Sequence, residues 1–198
     1  MISPMTELEA VNEMLLSIGQ APVSTLSVTG IKDVNIAKAE LTKVSRRVQS
    51  RGWNWNTDDD YELLPDADGY VKVPSEALKV DASDPYTNLV VRRHDTKGPC
   101  LYNRDERSFL FPRGKAVKVS VVWGFGFEDL PETARCYIAT SAGRKFQSRV
   151  IGSQILDRFQ AEDEQRAYIL LEREERASRD TNLFRRNAGL KGFGNRRY

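Results

Sequence analysis

Six carboxylates crowd into the eleven residues from 58 to 68: Asp58, Asp59, Asp60, Glu62, Asp66 and Asp68. Two such groups, one protonated and one ionised, are what a glycosidase uses to cleave a sugar linkage. The same oxygens suit a hard cation, but the run lacks the alternating acids and sixth-position glycine of a calcium loop. Aspartate also accepts local backbone hydrogen bonds in turns, and turn formation with solvation explains the cluster more simply than catalysis does. No catalytic residue, no metal ligand and no cofactor is therefore assigned, and a glycan (polysaccharide) hydrolase that aids penetration of a host capsule or wall is kept as the alternative function.

Nucleophilic catalysis finds little support. His94 is the sole histidine, so a serine or threonine nucleophile would have to use it as base, and no Gly-x-Ser-x-Gly elbow is present. Within Arg92-Arg93-His94-Asp95 it reads as an exposed residue of a strand-to-turn segment. Gly124-Phe125-Gly126 lacks the further glycine of a dinucleotide fingerprint and the lysine of a phosphate loop, and reads as a bend. Cys100 and Cys136 stand far apart, outside any Cys-x-x-Cys pair, and read as small buried apolar residues.

Arginine pairs recur at 46/47, 92/93, 185/186 and 196/197. A nucleic-acid binder gathers such charge on one face, yet here helical periodicity holds only Arg47 and Arg51 together. The net charge of +2 is unevenly placed. From Arg176 to Tyr198 seven basic residues face only Asp180, a net of +6, which leaves −4 on residues 1–175. With Gly189, Gly192 and Gly194, the segment reads as a flexible arm that gains order on an acidic partner.

The elements that must position these groups are legible from periodicity. Thr6 and Glu9 form a capping box ahead of Leu8, Val11, Leu15 and Ile18, with a stop near Gly19. Ala37, Leu41, Val44 and Val48 mark a helix over 33–50, with Asp33 as N-cap and Gly52 as its left-handed stop. These two helices make an antiparallel pair if the loop containing Pro22 folds back. Trp53-Asn54-Trp55-Asn56 alternates as a strand with one buried face. Val117, Val119, Val121 and Trp123 form the clearest strand, with Leu89–Val91 and Ser108–Phe111 as further candidates.

Helix returns after Asp129, with Pro131 in its first turn and an apolar face of Ala134, Ile138, Ala142 and Phe146. Beyond Gly152-Ser153 a long helix runs to about 178, with a narrow stripe of Leu156, Phe159, Ala167, Leu170 and Ala177. It carries the ion pairs Glu162 to Arg166 and Glu172 to Arg176. The fold class is α+β: a discontinuous helical bundle from residues 1–52 and 130–179, an inserted antiparallel β domain over 53–129, and a flexible basic arm over 180–198. No segment reaches the roughly 20 apolar residues of a membrane span. Met1-Ile2-Ser3-Pro4 lacks the pattern of a signal peptide, so the expected place of synthesis is a cytosol.

The run Ser45-Arg46-Arg47-Val48-Gln49-Ser50-Arg51-Gly52-Trp53-Asn54-Trp55-Asn56 resembles the tail tubular protein A family of short-tailed bacteriophages. The likeness extends in order through Ile18–Leu26, Pro65–Gly69, Val73-Pro74, Leu101-Tyr102, Phe127–Arg135, Ala142–Gln147 and Asp180–Leu183. It thus covers nearly the whole chain. The resemblance implies a structural protein of the virion tail, synthesised in the bacterial host cytoplasm. It would form an adaptor or gatekeeper ring of twelve copies between the portal protein and the tail nozzle protein (tail tubular protein B). It would also support tail-fibre attachment, let genomic DNA pass, and use no membrane or cofactor. By the same analogy the portal-binding arm comprises Asn182, Leu183, Phe184, Arg185, Arg186, Arg196 and Arg197.

Overall fold

The computed structural model describes residues 3–27 and 32–186, apart from the side chains of 154–156 and 179–186. The chain divides into two compact units, Met1–Ser45 with Gly126–Tyr198, and Arg46–Phe125.

The first unit is helical. Helix α1 (Glu7–Ser17) opens with the reciprocal capping box, in which Glu9 N–H donates to Thr6 Oγ1 at 3.2 Å and Thr6 N–H donates to Glu9 Oε2 at 2.7 Å. It closes at Gly19 (φ +76°), where Gln20 N–H reaches Leu15 O and Gly19 N–H reaches Leu16 O, the paired bonds of a Schellman stop. Helix α2 (Lys32–Gln49) buries Val34, Ala37, Leu41, Val44 and Val48 at helical spacing. Asp33 lies in its first turn rather than at the N-cap, because the helix already begins at Lys32. There its charge favours the positive end of the helix dipole.

A single 3-10 turn (Phe127–Asp129) precedes helix α3 (Glu132–Val150), with Pro131 at the N-cap, one position earlier than the first turn. Ala134, Ile138, Ala142 and Phe146 are all fully buried. Helix α1 approaches α3 more extensively than α2, so the antiparallel α1–α2 pair expected from a folded-back connection is not the main one. Gly143 of α3 faces Met14 of α1 here, with room for a Cβ, which would lie 3.8 Å from the Met14 side chain in ordinary contact. Buried Glu40 of α2 pairs with Arg149 of α3.

Helix α4 (Gln154–Arg186) follows a turn at Gly152 (φ +72°) and packs against α3. Its buried face does not follow the apolar stripe, of which only Ala167 is half-buried among the described side chains. Phe159 and Leu170 are 65% and 55% exposed and Ala177 is exposed, while Leu171 and Glu175 are buried and Gln160, Glu164 and Tyr168 half-buried. The steps 160, 164, 168, 171, 175 are helical, but mostly polar side chains occupy them, so a hydropathy count cannot find the face. Leu156 lies among the side chains not described.

The second unit is built on β5 (Val117–Trp123), flanked antiparallel by β1 (Thr57–Leu63) and β2 (Ala77–Ala82). Strands β3 (Leu89–His94) and β4 (Gly98–Asn103) form a second, two-stranded antiparallel sheet. Val119 and Val121 point into a core with Leu63, Val71, Val80, Leu89 and Leu101. Ser108–Phe111 makes only the isolated bridges Asn103 to Ser108 and Tyr70 to Leu110, so the strand expected there is absent. The turn bonded to Asn103 Oδ1 on one side and Pro112 on the other leave it too short to form a ladder.

Candidate functional site

The motif carrying the family resemblance folds as a turn, not as a strand. Trp53 and Asn56 lie before β1, and Asn56 N–H donates to Trp53 O at 3.1 Å. Asn56 is 1% exposed, although strand alternation would have put it opposite the tryptophans on a solvated face. Its Oδ1 accepts from Trp53 N–H at 2.8 Å, and its Nδ2 donates to Gln49 O at 3.0 Å and to Trp123 O at 2.7 Å. Gln49, at the end of α2, repeats the pattern seven residues earlier. Its Nε2 donates to Phe125 O at 3.0 Å and its Oε1 accepts from Phe125 N–H at 2.7 Å. Two buried amides therefore staple the segment entering the β unit to the segment leaving it. A buried amide of this kind is tolerated because its donors and acceptor are matched.

The tryptophans frame this staple. Trp53 is buried, donates from Nε1 to Val48 O at 2.7 Å, and lies nearly parallel to Trp55 with centroids 6.4 Å apart. Gly52 is required here twice over: its φ is +79°, and a Cβ would sit 3.2 Å from Val122 Cγ2.

Other motif residues also join chain segments, through backbone or through carboxylates. Arg135 donates from Nε to Leu130 O at 2.7 Å, from Nη1 to Met5 O at 2.8 Å, and from Nη2 to Glu128 O. Arg144 joins α3 to α4, with Nε 2.8 Å from Asp157 Oδ1 and Nη1 2.9 Å from Glu164 Oε2. The Asp157 hydrogen bond raises the guanidinium pKa and holds the Asp157 carboxyl below its ordinary range. Asp66 Oδ1 accepts from the backbone N–H groups of Tyr70 and Asp68, both at 2.9 Å. The bond from Tyr70 leads in holding its pKa down.

The acidic run divides between two environments. Asp66 and Asp68 do sit in a turn, and Lys97 Nζ lies 2.5 Å from Asp68. Asp58, Asp59, Asp60 and Glu62, expected in turns, lie instead on edge strand β1, which pairs with β5 through a bulge between Asp58 and Tyr61. Pairing to a valine-rich central strand overrides the poor strand propensity of aspartate, and exposed charge on an edge discourages further strand addition. Asp58 Oδ2 accepts from Trp123 Nε1 at 2.8 Å and Asp59 Oδ1 from Ser120 Oγ at 2.9 Å. A glycosidase acid needs a carboxyl held above its ordinary pKa, and Asp66 is held below it. Burial pushes up the carboxyl of Glu13 on α1, far along the chain from this run.

His94 ends β3 within a row of half-buried rings, 4.8 Å from Tyr70 and 5.1 Å from Phe109 by centroid. Arg92 and Arg93 are consecutive strand residues and so point to opposite faces, and Arg92 lies over the Tyr102 ring at 4.0 Å. Cys100 is buried and free, as expected. Cys136 is only half-buried, a correction, and burial together with Glu132 pushes its thiol up to about 11. Helix α4 continues through Arg186, so Asn182, Leu183, Phe184, Arg185 and Arg186 belong to a helix and not to an irregular tail. No glycine or proline interrupts the sequence before Gly189. Arg196 and Arg197 lie outside the described residues.

Sequence reasoning missed Gln49, Asn56 and Arg135 as fasteners. The available signal was the placement of an asparagine immediately before a strand, where its side chain readily mimics a backbone turn.

Among the described residues, the polar constellations of this α+β protein thus terminate helices, close turns and join chain segments, the work of a structural component. The chain belongs to the tail tubular protein family, which it matches over residues 8–181. It is similar to Tail tubular protein A of Klebsiella phage KP34, with 31% identity over 135 residues that span 68% of each chain. It is accordingly a structural protein of a bacteriophage tail. No helix among the described residues is long and apolar enough to cross a membrane.

Proposed function

We propose that this chain is the subunit of an adaptor ring of twelve copies between the portal and the tail nozzle, a ring that supports tail-fibre attachment and through which the genome passes. Membership of the tail tubular protein family over residues 8–181 carries the reading. The charge pattern supports it: a net +6 from Arg176 onward beside −4 in the rest suits an arm that meets an acidic surface on another virion protein. Helix α4 also supports it, because Phe159, Ile169 and Leu170 are 65%, 49% and 55% exposed on an otherwise charged helix. Closed cyclic symmetry repeats one head-to-tail contact around a ring and leaves no free edge.

Asn182, Leu183, Phe184, Arg185, Arg186, Arg196 and Arg197 form the portal-binding part of this arm. Deleting residues 180–198 and measuring binding to purified portal by co-sedimentation and electron microscopy tests the assignment. Loss of binding, with a circular-dichroism spectrum reduced only by the deleted end of α4, is the expected result. Undiminished docking of the truncated protein would remove the arm from the reading. Failure of the full-length chain to form rings on the portal would remove the ring itself.

A further inference from the structure

Four of the eleven residues of α1 are buried hydrophobics, namely Ala10, Val11, Met14 and Leu15. In α4, three times as long, Leu171 is the one buried hydrophobic among the described side chains. Beside Leu171 and one aromatic contact, the described side-chain contacts between α4 and α3 are polar. Arg144 reaches Asp157 and Glu164, Thr133 Oγ1 lies 2.5 Å from Glu174 Oε2, and the Tyr137 and Tyr168 rings meet at 5.2 Å. The central pair is partly solvated, with the Arg144 and Asp157 side chains 33% and 36% exposed. Charged contacts in that setting are weak and screened by salt.

Helix α4 also carries its own support. Glu162 pairs with Arg166, Glu172 pairs with Arg176, and Tyr168 Oη donates to Glu172 Oε1 at 2.6 Å, all within the helix. The connection to α3 is the short turn through Ile151, Gly152 and Ser153, with Gly152 at φ +72°.

We propose that α4 is a releasable arm, latched to α3 by the polar contacts centred on Arg144 and able to swing about residues 151–153 as a helix. This device is independent of which partner the arm meets, and so stands or falls apart from the ring reading. A helix held by packing would stay closed with the rest of the bundle. One held by half-exposed charge opens locally while the core of α1, α2 and α3 remains folded.

Hydrogen exchange of the full chain, read by mass spectrometry at low and high sodium chloride, tests it. The expected result is that amides of 160–175 exchange at least about tenfold faster than those of 134–147. Salt or Arg144→Gln should speed only the former, by up to about fivefold. Asp157→Asn, which removes one arm of the latch, should give a smaller change of the same kind. Equal protection of both helices in the wild type would overturn the proposal. So would joint loss of protection in every variant, since that means α3 and α4 open as one unit.

Discussion

Asn56 and Arg144 both join segments that are separate in the chain, yet the two joints are physically unlike. Asn56 is neutral, 1% exposed, and bonded to three backbone groups of the β unit. Arg144 is charged, a third exposed, and bonded to carboxylates that water also reaches. A buried hydrogen-bonding group left without its partner loses its solvation and gains nothing in return, whereas a half-exposed ion pair exchanges one solvated state for another. Burial, more than formal charge, decides which polar joint is permanent and which can open.

The strongest way to break this contrast is Asn56→Ala. It strands Trp53 N–H and the carbonyls of Gln49 and Trp123, and should cost roughly 2–4 kcal/mol in chemical denaturation. A cost near zero would mean that the staple is dispensable. Gln49→Ala should follow at about 2 kcal/mol, because it frees both polar groups of Phe125 in the same staple. Thr6→Ala should cost about 1 kcal/mol by removing the capping box, as measured by a shift in the urea midpoint. Arg144→Gln should change global stability by less than about 1 kcal/mol, with the difference shrinking further in high salt. If Arg144→Gln proved as damaging as Asn56→Ala, exposure would not be the deciding variable.

Acid sharpens the same contrast. The folded state holds Asp157 and Asp66 below the ordinary aspartate value of 3.8, so the stability they contribute is present above that value. It is lost as pH falls through their depressed folded values. Titration in that range should loosen the α3–α4 seam and the Asp66 turn, while the neutral Asn56 staple has no proton to gain. Amide chemical shifts followed through an acid titration would report the two responses separately.

Much of the fold was legible because local rules and tertiary packing agree. The capping box of Thr6 and Glu9, the stops at Gly19 and Gly52, the apolar face of α3 and the alternation of Val117–Trp123 all appear where periodicity put them. The misreadings fall where a long-range partner overrode the local pattern. Trp53–Asn56 alternates like a strand, but Asn56 finds Gln49 and Trp123 and holds a turn. Asp58–Glu62 has the composition of a loop, but β5 recruits it as an edge strand. The apolar residues of α4 mark one narrow stripe, yet Leu171 and Glu175 on another face are the buried ones.

The sequence by itself determined where most helices begin and end, which strand is clearest, how charge divides along the chain, and which family motifs recur in order. Those are properties of neighbouring residues, set by backbone sterics, spacing and composition. Tertiary structure alone decided that Asn56 is buried while Arg144 remains partly wet, and that α4 turns Phe159, Ile169 and Leu170 outward. Burial and hydrogen-bond satisfaction depend on groups brought together from distant parts of the chain, and no local pattern encodes which of those groups will meet.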